Sequence, residues 1–198
     1  MAEGLRIRRY DPHDADPVWT LHETALRDAG TDPADVPGTD DLQRIEATYL
    51  DAGGDFLVGL VPSSEVGAGA DGPAVGRADG DGDGDRERRR APRTDDGALV
   101  AMGGFVPSET GHDDERTIAG AAELHRMRVA PTHQRRGYGQ ALLVALEERA
   151  ANRGFDVVLA TTARRQSAAV AFYREEGYEP VGESTEAGYR LIHFEKEL

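Results

Sequence analysis

Arg128-Val129-Ala130-Pro131-Thr132-His133-Gln134-Arg135-Arg136-Gly137-Tyr138-Gly139-Gln140-Ala141-Leu142-Leu143 is the stretch on which the reading of this chain turns. An extended apolar run, Ala121 to Val129, leads into it, and an alanine- and leucine-rich helical pattern leads out. Between the two lies only a basic turn with two glycines. Glycine lets backbone approach a ligand closely, and the first turn of a helix offers N–H donors at the positive end of its dipole. Strand, basic glycine turn and helix in that order outline a phosphate site. Two common forms of such a site are excluded: position 142 is Leu where the dinucleotide fingerprint needs Gly, and no Gly-Lys-Ser/Thr occurs anywhere. Taken alone, these residues also fit an ordinary corner with exposed arginines.

The 198 residues give room for one domain with a proper core, or one domain plus a long excursion. The formal charge of −14 argues against nonspecific nucleic-acid or anionic-membrane binding. Lys196 is the one lysine among 23 basic residues, against 37 acidic ones, a balance matching a halophilic-like acidic surface or a codon bias. In molar salt the Debye length is only ~3 Å, so positive charge for an anionic ligand has to be local, as at Arg135 and Arg136. With no cysteine there is no disulfide, thiolate metal site or acyl-cysteine intermediate. No apolar run reaches membrane-spanning length and Met1-Ala2-Glu3-Gly4 begins no signal peptide, so a cytoplasmic location is expected.

Leu5 to Tyr10 alternates apolar and polar and is expected as a first strand. Asp16-Pro17 is expected to start a helix along Val18, Leu21, Ala25 and Leu26, stopped by Gly30. A short second helix is expected from near Thr39, with Leu42, Ile45 and Tyr49 on one face and Gly53-Gly54 at its end. Phe56–Val61 and Ala98–Val106 are expected as neighbouring strands. Between them, residues 62–97 are rich in Gly, Asp, Ala and Pro and cannot bury enough apolar surface to offset their ordering entropy. They are expected as a disordered acidic insertion within a single domain spanning 1–198.

The run Asp79-Gly80-Asp81-Gly82-Asp83-Gly84-Asp85 lacks EF-hand spacing and any nonapeptide repeat, and the arginines that follow it, Arg86 and Arg88 to Arg90, are expected to neutralise it. His112-Asp113-Asp114-Glu115 has no second ligand group at recognisable spacing, so no metal is expected.

After the strand Ala121–Val129 and the glycine loop, Leu142, Leu143, Leu146 and Ala150 mark the buried stripe of a helix ending at Asn152-Arg153-Gly154. Phe155–Thr162 is expected as a strand, Ser167 as the cap of a helix from Ala168 to Glu176, and Gly177 as its stop. Tyr178–Val181 and Tyr189–Lys196 are expected to close the chain as a hairpin around 182–188.

Gln134-x-x-Gly137-x-Gly139 resembles the Q/R-x-x-G-x-G/A pyrophosphate loop of the GCN5-related N-acetyltransferase (GNAT) family. Gln166-Ser167-Ala168-Ala169-Val170-Ala171-Phe172-Tyr173-Arg174-Glu175-Glu176-Gly177-Tyr178 is similar to that family's N-x-x-A-x-x-x-Y-x-x-x-G-[FY] segment, with Gln166 in place of the usual Asn. The element order also matches, so the resemblance covers all but the insertion and is strongest from Glu123 to Tyr178. It implies a mixed α/β (α+β) fold: a central, mostly antiparallel sheet with a parallel central strand pair, flanked by helices. It further implies acetyl-CoA as cosubstrate and no metal. Met127, Arg128 and Val129 would pair with the pantetheine, and Gln134, Arg135, Arg136, Gly137, Tyr138, Gly139 and Gln140 would hold the pyrophosphate. Gln166 and Tyr173 would also contact the cofactor. Spacing does not decide which arginine faces the phosphates.

Acyl transfer from a thioester to an amine needs a neutral amine, a stabilised oxyanion and a proton for the departing thiolate. The resemblance makes Tyr173 the acid; as a residue it is equally a core aromatic. It makes Glu123 a base, taking the amine's proton directly or through water, while an ion pair with a neighbouring arginine is the structural alternative. Glu123, His125, Met127 and Val129 share one strand face unless a bulge intervenes, as is usual at this strand in the family. His125 is a further candidate base. Thr161 stands where protein N-terminal acetylases of this fold often carry a second glutamate, which counts against a ribosomal-protein acceptor. The expected activity is N-acetylation of a primary amine, on a small molecule or peptide, by direct attack in a ternary complex. The other reading is a noncatalytic acyl-CoA-binding or regulatory module. No nucleic-acid or membrane partner is expected, and a homodimer is left open.

Overall fold

The computed structural model describes residues 4–36, 38–62, 90–111, 115–186 and 188–198. Eight strands occur among them: β1 (Arg6–Arg9), β2 (Asp55–Val61), β3 (Arg93–Thr94), β4 (Gly97–Pro107), β5 (Ala121–Val129), β6 (Val157–Ala163), β7 (Glu179–Glu186) and β8 (Tyr189–Glu197). Three α-helices accompany them: α1 (Ala15–Asp28), α2 (Tyr138–Asn152) and α3 (Ser167–Glu175). The strands hydrogen-bond in the order β1-β2-β4-β5-β6-β8-β7, with β3 on β4. β5 and β6 run parallel; β1–β2, β3–β4, β6–β8 and β7–β8 are antiparallel. This is the mixed α/β sheet with one parallel pair that the sequence implies. None of the described helices is long and apolar enough to cross a membrane.

Contacts divide the chain into two compact units: Met1–Arg44 with Leu57–Met102 and Met127–Leu142, and Ile45–Phe56 with Gly103–Arg126 and Leu143–Leu198. In the first, α1 buries Val18, Leu21 and Leu26, the expected stripe, but its cap differs. The 3₁₀ turn Pro12–Asp14 runs straight into α1, and Asp11 and Asp14 form a reciprocal capping box there, so Asp16-Pro17 falls inside the helix's first turn. Arg8 locks this entry by donating to both Asp14 oxygens at 2.6 and 2.8 Å. Residues 90–97 carry structure: β3 pairs with the start of β4, Pro92 O accepts Leu99 N–H at 2.8 Å, and Asp96 meets Arg8 at 3.1 Å. The expected insertion is therefore shorter at its C-terminal end. Its remainder, 63–89, with the Asp-Gly run and the arginine cluster through Arg89, lies outside the described residues, as do His112, Asp113 and Asp114. The predicted second helix is in fact a 3₁₀ turn, Thr39–Gln43, in this unit and a π turn, Glu46–Leu50, in the other. Leu42, Ile45 and Tyr49 are nevertheless buried as the spacing demands.

In the second unit, α2 buries Leu143, Leu146 and Ala150, and Gly154 at φ +88° ends it. Asp55, fully buried at the start of β2, accepts from Arg149 at 2.8 Å and Arg153 at 3.1 Å. Glu147 accepts from Tyr178 Oη at 2.8 Å and Lys196 Nζ at 2.9 Å, tying α2 to the last strands. Ser167 is the first residue of α3 and not its cap; Gln166 occupies that position without a side-chain cap bond, because its Oε1 accepts from Thr162 Oγ1 at 2.8 Å. The closing hairpin is longer than expected. β7 continues through Gly182 by means of an irregularity between Pro180 and Gly182, which leaves Val181 as an exposed bulge residue.

Candidate functional site

In the first unit the glycine loop is built by two left-handed residues. After the 3₁₀ turn Pro131–His133, Gln134 is extended, Arg135 adopts φ +62°, and Gly137 adopts φ +79° just before α2. A non-glycine residue in that region is strained, so Arg135 is held there by its surroundings. Ala141 N–H donates to Gly137 O at 3.0 Å; the N–H groups of Tyr138, Gly139 and Gln140 belong to the helix's first turn, where no carbonyl of the helix can take them. His133 is buried and stacks on Tyr138 with centroids 6.2 Å apart, which fixes the loop's base. Gln134 Nε2 reaches Val129 O at 3.4 Å, and Arg136 donates to Thr132 O at 3.3 Å. Arg135 and Arg136 are both exposed, and a Cβ at Gly137 would meet no atom within 4 Å. Met127, Arg128 and Val129 are half-buried, with Arg128 donating to Met127 O at 2.9 Å. These donors and charges fit a diphosphate resting on the turn.

Within β5, Arg126 is the other non-glycine residue with positive φ, +57°, among the described residues. It separates buried Glu123 and His125 from half-buried Met127 and Val129. Glu123 is 1% exposed and neither of its oxygens has a hydrogen-bond partner. Arg116 donates to Glu195 at 2.7 Å and pairs with it, so the arginine ion pair that was the structural alternative for Glu123 does not form. Burial, reinforced by the negative charge of Glu115, pushes the Glu123 carboxyl up to about 9; Thr161 approaches from β6 through its hydroxyl and backbone and offsets only part of this. His125 is held between Glu115, 2.9 Å from Nε2, and Tyr49 Oη, 3.4 Å from Nδ1. Glu115, considered in the sequence only as a metal ligand, is thus an anchor for His125. Tyr49 was legible only as a core position. On the next strands, Thr161 Oγ1 lies 3.1 Å from His193 Nδ1, and His193 Nε2 lies 2.9 Å from Ser184 Oγ. His193 carries no motif; its alternation in β8 was the one sign that it faces this stripe.

Tyr173 is 6% exposed and packs on Tyr178 and Phe194 at centroid distances of 5.4 and 5.6 Å. Glu123 is level with Leu159, and Phe194 with Ala160, so Glu123 and the ring against which Tyr173 packs lie on opposite faces. The structure therefore gathers Glu123, His125 and Thr161 on one face and Tyr173 on the other. No group of side chains able to hold a metal ion occurs among the described residues.

A family model described as "Acetyltransferase (GNAT) family" matches residues 76–178. No curated protein matches the chain significantly in sequence. Among solved structures, an acetyltransferase from Streptococcus agalactiae superposes with a TM-score of 0.66 at 14% identity, covering 99% of each chain. The ribosomal-protein-alanine N-acetyltransferase from Brucella melitensis gives 0.63 at 20% identity, covering 98% of this chain and 99% of its own. The yncA protein of Salmonella typhimurium, solved with its cofactor acetyl-CoA, gives 0.63 at 17% identity, covering 98% and 94%. At these identities the likeness is one of fold.

Proposed function

Since the chain belongs to the GNAT family of acetyltransferases, we propose that it is an acetyl-CoA-dependent N-acyltransferase that acetylates a primary amine by direct attack in a ternary complex. Glu123 takes the proton of the attacking amine, the amine nitrogen bonds to the thioester carbon, and the C–S bond breaks. Tyr173 protonates the departing CoA thiolate. Backbone N–H groups near Met127 to Val129 polarise the carbonyl, and the turn from Gln134 to Gln140, with Arg135 and Arg136, receives the diphosphate. Gln166 adds an amide contact, although its Oε1 already serves Thr162. The substrate is a small-molecule or peptide amine in a single domain of residues 1–198 working in the cytoplasm.

The observation that carries this reading is the isolation of Glu123. A carboxyl buried for structural reasons is paired or hydrogen-bonded, because an unsatisfied one costs stability. One kept unpartnered, with its proton affinity raised towards that of an amine, is suited to proton abstraction. The alternative, a noncatalytic acyl-CoA-binding module, is favoured by two features, the packing of Tyr173 into an aromatic cluster and its place on the face opposite Glu123. Thiol release from acetyl-CoA across a panel of primary amines separates the two. Amine-dependent release that falls sharply in Glu123→Gln supports the enzyme. Saturable acetyl-CoA binding without release for any amine supports the module.

A further inference from the structure

Glu123 is 1% exposed in the ligand-free chain, and a base there has to lose the proton it takes before the next turnover. Two polar groups share the strand face of Glu123 without hydrogen-bonding to it, His125 on β5 and Thr161 on β6. Towards His125, both ring nitrogens are engaged, by Glu115 and Tyr49, and the branch ends at a carboxylate whose side chain is itself 9% exposed. The negative charge there raises the proton affinity of Glu123. That branch holds the proton in.

The other branch runs outward. Thr161 lies two residues beyond Leu159, the register partner of Glu123, on the same face of β6. Thr161 is level with His193 on β8, and Gly182 on β7 is also level with His193. The absent side chain at Gly182 leaves the imidazole its place; a Cβ there would come to 3.9 Å of the ring. Two residues along β7, half-buried Ser184 receives the far ring nitrogen. β7 is the last strand in the hydrogen-bonded order, so the chain of contacts ends at the sheet edge. Among the described residues, the charged and titratable groups on this side are Glu115 and Arg116 before β5, His125 on β5, Glu195 on β8, held by Arg116, and Glu186, two residues beyond Ser184 on β7.

We propose that Thr161, His193 and Ser184 form a relay that carries the proton collected by Glu123 to solvent at the edge strand. The inference rests on the reading of Glu123 as the base. In the step, the Glu123 carboxyl, which makes no hydrogen bond at rest, turns to Thr161 on the same face and gives its proton to Thr161 Oγ1 as Thr161 passes its own to His193 Nδ1. His193 releases its Nε2 proton to Ser184 Oγ, which passes a proton to water. Thr161, His193 and Ser184 each gain one proton and lose one, Glu123 is left ionised, and His193, left with its proton on Nδ1, returns to the Nε2–H form by proton exchange with water before the next passage. Thr161, His193 and Ser184 act through Glu123 and are positioning residues.

The relay requires His193 to rest as the neutral tautomer with its proton on Nε2, and nitrogen NMR of histidine-labelled protein reads this directly without any activity. An Nδ1–H tautomer overturns the proposal. In turnover of a responsive amine, Thr161→Val lowers kcat by about tenfold or more, leaves KM for acetyl-CoA near wild type, and flattens the alkaline rise of the pH profile; Thr161→Ser restores most of the rate. A Thr161→Val enzyme with wild-type kcat and pH profile overturns it as well. If the wild type acetylates no amine, the proposed activity fails, while the His193 tautomer still decides the relay.

Discussion

Arg149 Nη1 donates to Asp55 Oδ2 at 2.8 Å, joining the last turn of α2 to the first residue of β2. Arg153 reaches the same oxygen at 3.1 Å, and Phe56 N–H donates to the other at 3.1 Å. Asp55 has no exposure, whereas the two guanidinium side chains are 42% and 34% exposed. The arginines can be solvated without the acid, but the acid cannot be solvated without them. Arg149→Ala or Arg153→Ala alone is expected to cost ~1 kcal/mol, since the other arginine remains. The double substitution strands a buried charge and is expected to cost more than the sum, ~3–5 kcal/mol, in urea unfolding. Additive singles would show that the pair does not share one load.

Glu123→Gln is expected to trade activity for stability, with a sign set by pH. The folded carboxyl titrates at about 9, well above the 4.5 of an ordinary one. Between those values the folded protein retains a proton that the unfolded chain has lost. Below the lower value the burial of Glu123 carries no ionisation cost; as pH rises from 4.5 towards 9 the cost of keeping that proton in the folded protein accumulates, and it levels off above 9. At pH 7 the accumulated cost is ~3 kcal/mol at most. The gain in melting temperature from Glu123→Gln over wild type is therefore larger near pH 8 than near pH 5. An equal gain at both would mean that the carboxyl is not held neutral by folding.

The same titration shapes catalysis. With Glu123 as base, kcat/KM for the amine rises with pH and levels off near 9, and the rise is lost in Glu123→Gln along with ~100-fold or more of kcat. Acetyl-CoA affinity, read by calorimetry, stays within about twofold, because Glu123 lies on the strand face opposite the ring that packs on Tyr173. An unchanged alkaline limb in the variant would move the base elsewhere, with His125 the next residue to replace.

Much of the scaffold was legible because it is written in short-range chemistry. Strand β5 has the bounds its apolar run implies, and Leu142, Leu143, Leu146 and Ala150 are all fully buried at helical spacing. Gly30, Gly154 and Gly177 stop helices with positive φ, as only glycine does cheaply. Local competition was less legible. Asp11 outcompetes Asp16 as a cap because Asp14 completes a capping box, and Gln166 displaces Ser167 because Thr162 turns its amide. Pattern fixed which side of the chain at Leu42, Ile45 and Tyr49 is buried, but not that 3₁₀ and π turns would bury it. Glu123 was visible as a candidate, but its lack of partners was not, since Arg116 could equally have turned towards it and not Glu195. The link from Thr161 to His193 and Ser184 depends on the β8 register and the β7 bulge, neither of which a single sequence specifies.

Gly137→Ala tests the loop. The position has φ +79°, so any side chain is strained there by ~1 kcal/mol, but a Cβ would touch no protein atom. The loss of stability should therefore be small. A loss of acetyl-CoA affinity well beyond it, about tenfold or more, is expected if the cofactor's diphosphate comes close to this backbone. Parallel losses in stability and affinity would mean that the residue serves only the turn.

Tyr173→Phe removes one oxygen from a ring that is already held by Phe172, Tyr178 and Phe194 at 5.4 to 5.6 Å, so the aromatic packing survives the change. The fold and its melting temperature are expected to stay near wild type, within about 1 kcal/mol. If the hydroxyl supplies the proton for the CoA thiolate, kcat drops by ~100-fold while KM for acetyl-CoA hardly moves, because the lost interaction exists only as the C–S bond breaks. A wild-type kcat in Tyr173→Phe would return Tyr173 to the core, and thiolate protonation would then fall to solvent.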